Sequence, residues 1–247
     1  MNKREIIPRL CVVIACELFA VATTIMLFMN RQYDRFPLAI ATLLMILLPA
    51  ALERLFCCRI RTPVFIFAVL YTIGPMLGQC HNLYYTVAWW DKLLHITGGV
   101  IFALFGFFLF QLLNREQQSA QLPAAVFALC FSITIAALWE FVEFGADTFL
   151  GMDMQDDTVV TAIHSYMLDE GIGVVGSIGN ITEAAVNGML LPVEGYIDIG
   201  LIDSMLDMLL ETVGAVVTVV LCLLDKGKHP AFERCENLAG MGSHKQD

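Results

Sequence analysis

The chain has 247 residues, is 58% hydrophobic and only 15% charged, and carries a formal net charge of −10. No ordinary soluble domain is this apolar, so the composition points to a polytopic membrane protein whose immediate surroundings are membrane lipids. The acidic balance, with no basic patch or RNA-type motif, excludes nucleic acid as a partner.

Lys3, Arg4 and Arg9 precede the first apolar run. That run is too long for a signal peptide and lacks a small-residue cleavage site, so it reads as an uncleaved span. Apolar runs fall at about 10–29, 36–56, 62–79, 91–113, 122–146 and 199–224. Each is near the ~20 residues that cross a bilayer. The third is interrupted by Gly74, Pro75 and Gly78. The expected fold is all-α: a polytopic transmembrane helix bundle of about six spans. Residues 1–226 form a single transmembrane domain, with a long external loop at 150–197 between spans five and six, and 227–247 form a disordered cytoplasmic tail.

Lys and Arg set the expected orientation. With the N-terminus inside, eleven of these residues fall on inner segments and three, Arg31, Arg35 and Lys92, on outer ones. Both termini are then cytoplasmic, in a multi-pass membrane protein. Trp89, Trp90 and Trp139 all fall at the outer interface in this arrangement, where Trp is enriched. The eight cysteines lie mostly inside apolar runs without metal-type spacing, and read as core or lipid-facing residues.

The fourth span opens with Asp91 and His95, spaced i, i+4 on one face, followed by Gly98 and Gly99, which admit a close neighbouring helix. An N-cap is the plain reading of Asp91. The fifth span ends with Glu140, Glu143 and Asp147, spaced i, i+3, i+7. These three acids share one face at the helix end where the dipole disfavours anions. The following loop holds Asp153, Asp156, Asp157, Asp169, Glu170, Glu183 and Glu194 and neither Lys nor Arg. Within it, 157–168 reads as a short amphipathic helix and 181–193 as a hairpin around Asn187-Gly188. Its length and apolar content suit a lid over the membrane surface. The sixth span opens with Asp203, Asp207 and Glu211, a second stripe that advances by four residues. Protonation is the plain reading of the deepest, Glu211.

Alternating topology brings these stripes to the same membrane face. Ionisable groups inside a membrane usually face one another or a cavity, so a shared polyacidic pocket is expected. His95 and Lys92 cannot neutralise so many carboxylates, which implies a divalent metal ion of the magnesium, manganese or zinc class. The expected ligands are Asp91, His95, Glu140, Glu143, Asp147, Asp203 and Asp207. Glu140 and His95 are the candidate catalytic groups, as base and as ligand or acid.

Four segments carry a family resemblance: 90–95 (Trp-Asp-Lys-Leu-Leu-His), 139–143 (Trp-Glu-Phe-Val-Glu) with Asp147, 151–158, and 196–207. They resemble the YjdF-type bacterial inner-membrane proteins, and more distantly VanZ-like proteins. The resemblance implies location and topology and no particular chemistry. Three functions are then open. The first is a metal-dependent hydrolase or transferase acting on a lipid-linked or phosphorylated small-molecule substrate. The second is an ion or metal transporter, against which stand the few acids in the inner half and the lack of an inverted repeat. The third is a non-enzymatic scaffold with a structural metal. Ser204 and Thr97 are candidate nucleophiles without a histidine-based triad.

Overall fold

The computed structural model describes residues 3–114, 121–224 and 232–234. Eight helices are present among them: α1 (Lys3–Met29), α2 (Phe36–Ile46), α3 (Leu48–Leu55), α4 (Thr62–Cys80), α5 (Leu83–Thr86), α6 (Trp90–Leu113), α7 (Gln121–Leu150) and α8 (Leu201–Leu224). α1, α4, α6, α7 and α8 are long and apolar enough to cross a membrane. α2 and α3 together make a sixth such element, bent by 41°. The bend falls where Pro49 removes the N–H that a continuous helix would donate to Met45. The all-α, roughly six-span expectation is thus met, with the second span broken near its middle. α4 runs straight through the Gly74-Pro75 interruption, although Pro75 leaves the Tyr71 carbonyl without its helical donor.

The chain divides into two compact units: Met1–Ile135 with Leu210–Asp247, and Ala136–Leu209. One core of the first unit joins α1, α2 and α4 through Leu27, Ile46, Val69 and Met76, all essentially inaccessible. A second joins α6, α7 and α8 through Ala103, Ala128 and Ala215. Small residues set this second packing. A Cβ on Gly99 would fall 2.0 Å from the Glu211 carbonyl oxygen, one on Gly214 2.1 Å from that of Ile96, and one on Gly106 2.7 Å from Ala128 Cα. Without a hydrophobic drive between helices in lipid, such close backbone approach is what holds them together. β1 (Cys58–Ile60) pairs antiparallel with residues 232–234 (β8). The rest of the expected tail lies outside the described residues.

The second unit contains the end of α7, the 150–200 connection and the start of α8. The connection is built from β pairs. β2 (Thr158–Val160) lies against β7 (Tyr196–Asp198), β3 (Ile163–Ser165) against β4 (Gly176–Ile178), and β5 (Ala185–Val186) against β6 (Met189–Leu190). The amphipathic helix expected at 157–168 is therefore corrected to two strands and a single 3-10 turn (Tyr166–Leu168). Its Thr-Val-Val opening is β-branched, and long-range pairing with 196–198 outweighs the weak helical periodicity. The β5–β6 hairpin turns at Asn187 and Gly188, both at positive φ (52° and 80°), as an Asn-Gly turn requires.

Candidate functional site

In the first unit, three ionisable side chains meet along α6 and α8. His95 is 7% exposed; its Nε2 faces Asp91 Oδ1 at 3.6 Å and its Nδ1 faces Glu211 Oε2 at 3.8 Å. Asp91 also pairs with Lys92 at 3.0 Å. Asp91 is not the N-cap of α6: Trp89 occupies that position without a side-chain cap, and Asp91 points along the first turn toward His95. The Glu211 carboxyl is 4% exposed, and its Oε1 is buried without a hydrogen-bond partner among the described residues. Tyr71 of α4 adds a hydroxyl. A Cβ on Gly98 would lie 2.8 Å from that oxygen and 3.8 Å from Glu211 Cδ, so phenol and carboxyl both crowd the bare face of Gly98. Trp90 Nε1 donates to the Gly74 carbonyl at 3.1 Å and ties the start of α6 to α4. The close crossing at Gly99 and Gly214 is what brings Glu211 to this depth beside His95.

In the second unit, α7 presents Ala136, Glu140, Glu143 and Ala146 as one buried stripe, while Trp139, Phe141, Val142 and Phe144 are exposed. Glu143 Oε1 accepts from Trp139 Nε1 at 2.8 Å, one turn earlier. Asp147 is occupied on both oxygens: the Met154 N–H donates to Oδ1 at 2.7 Å and the Gln155 N–H to Oδ2 at 2.9 Å. Asp203 Oδ2 accepts the Asp156 N–H at 2.9 Å, and the Gln155 amide bonds the Ser204 hydroxyl. Residues 153–157 are thus strapped across the ends of α7 and α8 by side chains of those helices. Gly200, at φ 72°, permits the approach, since a Cβ there would strike Gln155 at 2.6 Å. Asp198 Oδ2 accepts the Ile202 N–H at 2.8 Å and caps the start of α8.

Up to Glu211 the buried residues of α8 are Asp203, Ser204, Asp207 and Glu211, so the four-residue stripe read from the sequence is realised as one inward face. Asp207 is 1% exposed and lies one helical turn before Glu211. Sequence reasoning set Glu211 aside as a protonated bystander and did not single out Tyr71. The first carried a signal, its place on the stripe; the second carried none, because an aromatic in an apolar run reads as core. Neither candidate nucleophile is set up for attack. The Thr97 hydroxyl donates back to the Leu93 carbonyl at 2.7 Å, and the Ser204 hydroxyl is engaged by Gln155.

Outside the spans, burial, and then the charges of Asp153, Asp147 and Asp198, push the Asp157 carboxyl above its ordinary value.

The chain is similar to an uncharacterised protein of Thermotoga maritima, 31% identical over 80 residues. The match takes in 32% of this chain and 40% of the length of that relative. No solved structure matches. A match running from residue 11 to residue 227 places the chain in a family, and it belongs to the one described as "Predicted membrane protein (DUF2238)".

Proposed function

We propose that the protein binds a divalent cation at the external face of the bacterial inner membrane, and uses it to hydrolyse or transfer a phosphoryl or ester group of a lipid-linked substrate. The proposed ligands are those read from the sequence, Asp91, His95, Asp207, Glu140 and Glu143, with Glu140 or Glu143 also available as base. Asp147 and Asp203 belong to the same set by spacing, and their second role is to hold the 153–157 strap. The resemblance to YjdF-type proteins supports the inner-membrane location, and the Lys/Arg asymmetry supports cytoplasmic termini.

The observation that carries this reading is the buried His95 set between Asp91 and Glu211 at 3.6 and 3.8 Å. An imidazole between carboxylates is a mixed nitrogen and oxygen donor set. The Asp147 and Asp203 bonds to the strap favour a second reading, a scaffold in which the cation ties helices together without chemistry.

Metal analysis of protein purified in detergent is expected to find a divalent ion in stoichiometric amount. Chelator is expected to lower Tm, since an ion bound at ~100 times its Kd contributes about 2.7 kcal/mol. Glu140→Gln should blunt that shift. A Tm indifferent to chelator and to added metal would sink both readings. A metal-dependent Tm, with no turnover in a screen of lipid phosphates and esters, would leave the scaffold.

A further inference from the structure

The contact between His95 and Glu211 goes further than the binding of a cation. An imidazole has two nitrogens, and the one that ligates a metal is decided by what the other is bonded to. Here the two nitrogens face different groups. Nε2 faces Asp91 Oδ1 at 3.6 Å, near the start of α6, and Nδ1 faces Glu211 Oε2 at 3.8 Å, deeper along α8. Two donors on one ion with bonds of ~2.1 Å and a tetrahedral angle stand about 3.4 Å apart. The Nε2–Oδ1 separation is close to that; the Nδ1–Oε2 separation closes to a hydrogen bond by a small rotation of the Glu211 side chain.

Two further observations bear on Glu211. Its Oε1 is buried with no hydrogen-bond partner among the described residues, although the side chain is 4% exposed. A buried carboxyl in that condition is costly unless the site uses it. Its Cδ also lies 3.8 Å from where a Cβ on Gly98 would be, within van der Waals reach of the α6 face that carries His95 one turn earlier.

We infer that Glu211 is a positioning residue for His95: it accepts the Nδ1–H, turns Nε2 toward Asp91 as the metal donor, and commits the site to a zinc-class ion over magnesium or calcium. This inference rests on the cation-binding reading above and specifies it. Magnesium and calcium prefer shells made wholly of oxygen, whereas a fixed neutral imidazole nitrogen favours zinc and cobalt. A carboxylate behind a ligating imidazole fixes its tautomer and raises its basicity, and loss of such a partner lowers metal affinity by about 10–100-fold.

The test uses the full chain purified in detergent, stripped of metal and titrated with Zn²⁺, Co²⁺, Mg²⁺ and Ca²⁺. Zn²⁺ and Co²⁺ are expected to bind at least tenfold more tightly than Mg²⁺ or Ca²⁺, and the visible bands of bound Co²⁺ should report nitrogen coordination. Glu211→Leu is expected to weaken Zn²⁺ and Co²⁺ by ~10–100-fold and to shift the Co²⁺ bands. Glu211→Gln, which has the same shape and still accepts from Nδ1–H, should recover part of that loss. It is also the variant that remains informative if the leucine protein fails to fold. Mg²⁺ or Ca²⁺ binding more tightly than Zn²⁺ would overturn the inference. So would zinc affinity and Co²⁺ bands that are the same in wild type and Glu211→Gln while His95→Ala changes both, which would leave the cation site standing without Glu211. Failure of all four ions to bind would remove the cation reading itself.

Discussion

Arg9 and Glu211 are both ionisable groups buried in the first unit, and they differ in how they are matched. The Arg9 guanidinium donates to Glu53 at 2.8 Å, to the Thr62 hydroxyl at 3.0 Å and to the Ile60 carbonyl, and lies 4.8 Å from the centre of the Phe65 ring. A charge so fully engaged is structural. Arg9→Met should leave Glu53 without its cation and cost about 3 kcal/mol, read as an earlier midpoint in denaturant; Arg9→Met combined with Glu53→Gln should recover part of the loss. Glu211 has a buried oxygen that no described residue engages, which is the mark of a group kept for a ligand or for a neighbouring side chain. Asp157 represents a third condition, an acid among acids. Its carboxyl is raised, so the folded chain holds that proton more tightly than the unfolded chain. The resulting penalty is absent below about pH 3.9, grows as pH rises through the raised value, and is complete above it. Asp157→Asn should therefore raise Tm at neutral pH and lose that advantage in acid. An equal gain at every pH would show that the charge is not the cause.

At the scale of elements, the α6–α8 crossing is the feature on which the site depends. Gly99→Ala and Gly214→Ala each drive a methyl to within about 2 Å of the opposing backbone, and backbone cannot turn aside as a side chain can. Each is expected to cost about 1–3 kcal/mol and to weaken metal binding by separating His95 from Glu211. Gly145 is the control, since a methyl there meets only Phe149 Cδ2 at 4.0 Å. Gly145→Ala should gain up to about 1 kcal/mol through helix propensity alone. Thermal unfolding of the three variants side by side distinguishes close packing from a general intolerance of alanine. The 153–157 strap is the other element of interest. It explains Asp147 and Asp203 by hydrogen bonds to backbone amides, a role that acids at helix ends take up readily because each carboxylate can accept several donors.

For the whole molecule, the property to test is orientation. The sequence expectation is that the spans alternate across the membrane, so one measurement decides every connection. A reporter fused after Leu224 should report a cytoplasmic position, and one inserted at the Asn187-Gly188 turn should report the opposite side. The reverse pattern would move the proposed site to the cytoplasmic face and exclude an external substrate.

Much of this architecture was legible in the sequence because its cause is local. A run of ~20 apolar residues must satisfy its backbone hydrogen bonds internally in lipid, so helices follow from composition alone. The 203–207–211 stripe follows from helical geometry, and the Asn187-Gly188 hairpin from the left-handed backbone that those two residues tolerate. What only the tertiary structure decided depends on residues distant in the chain. The 158–160 segment became a strand because 196–198 lies beside it, a pairing that local periodicity cannot reveal. Asp147 and Asp203 became anchors for a strap because the chain turns back over them. Glu211, read from the sequence as a protonated acid, faces His95 because glycines on two helices let their backbones touch; the packing of those helices, not the acid's own surroundings in sequence, chose its partner.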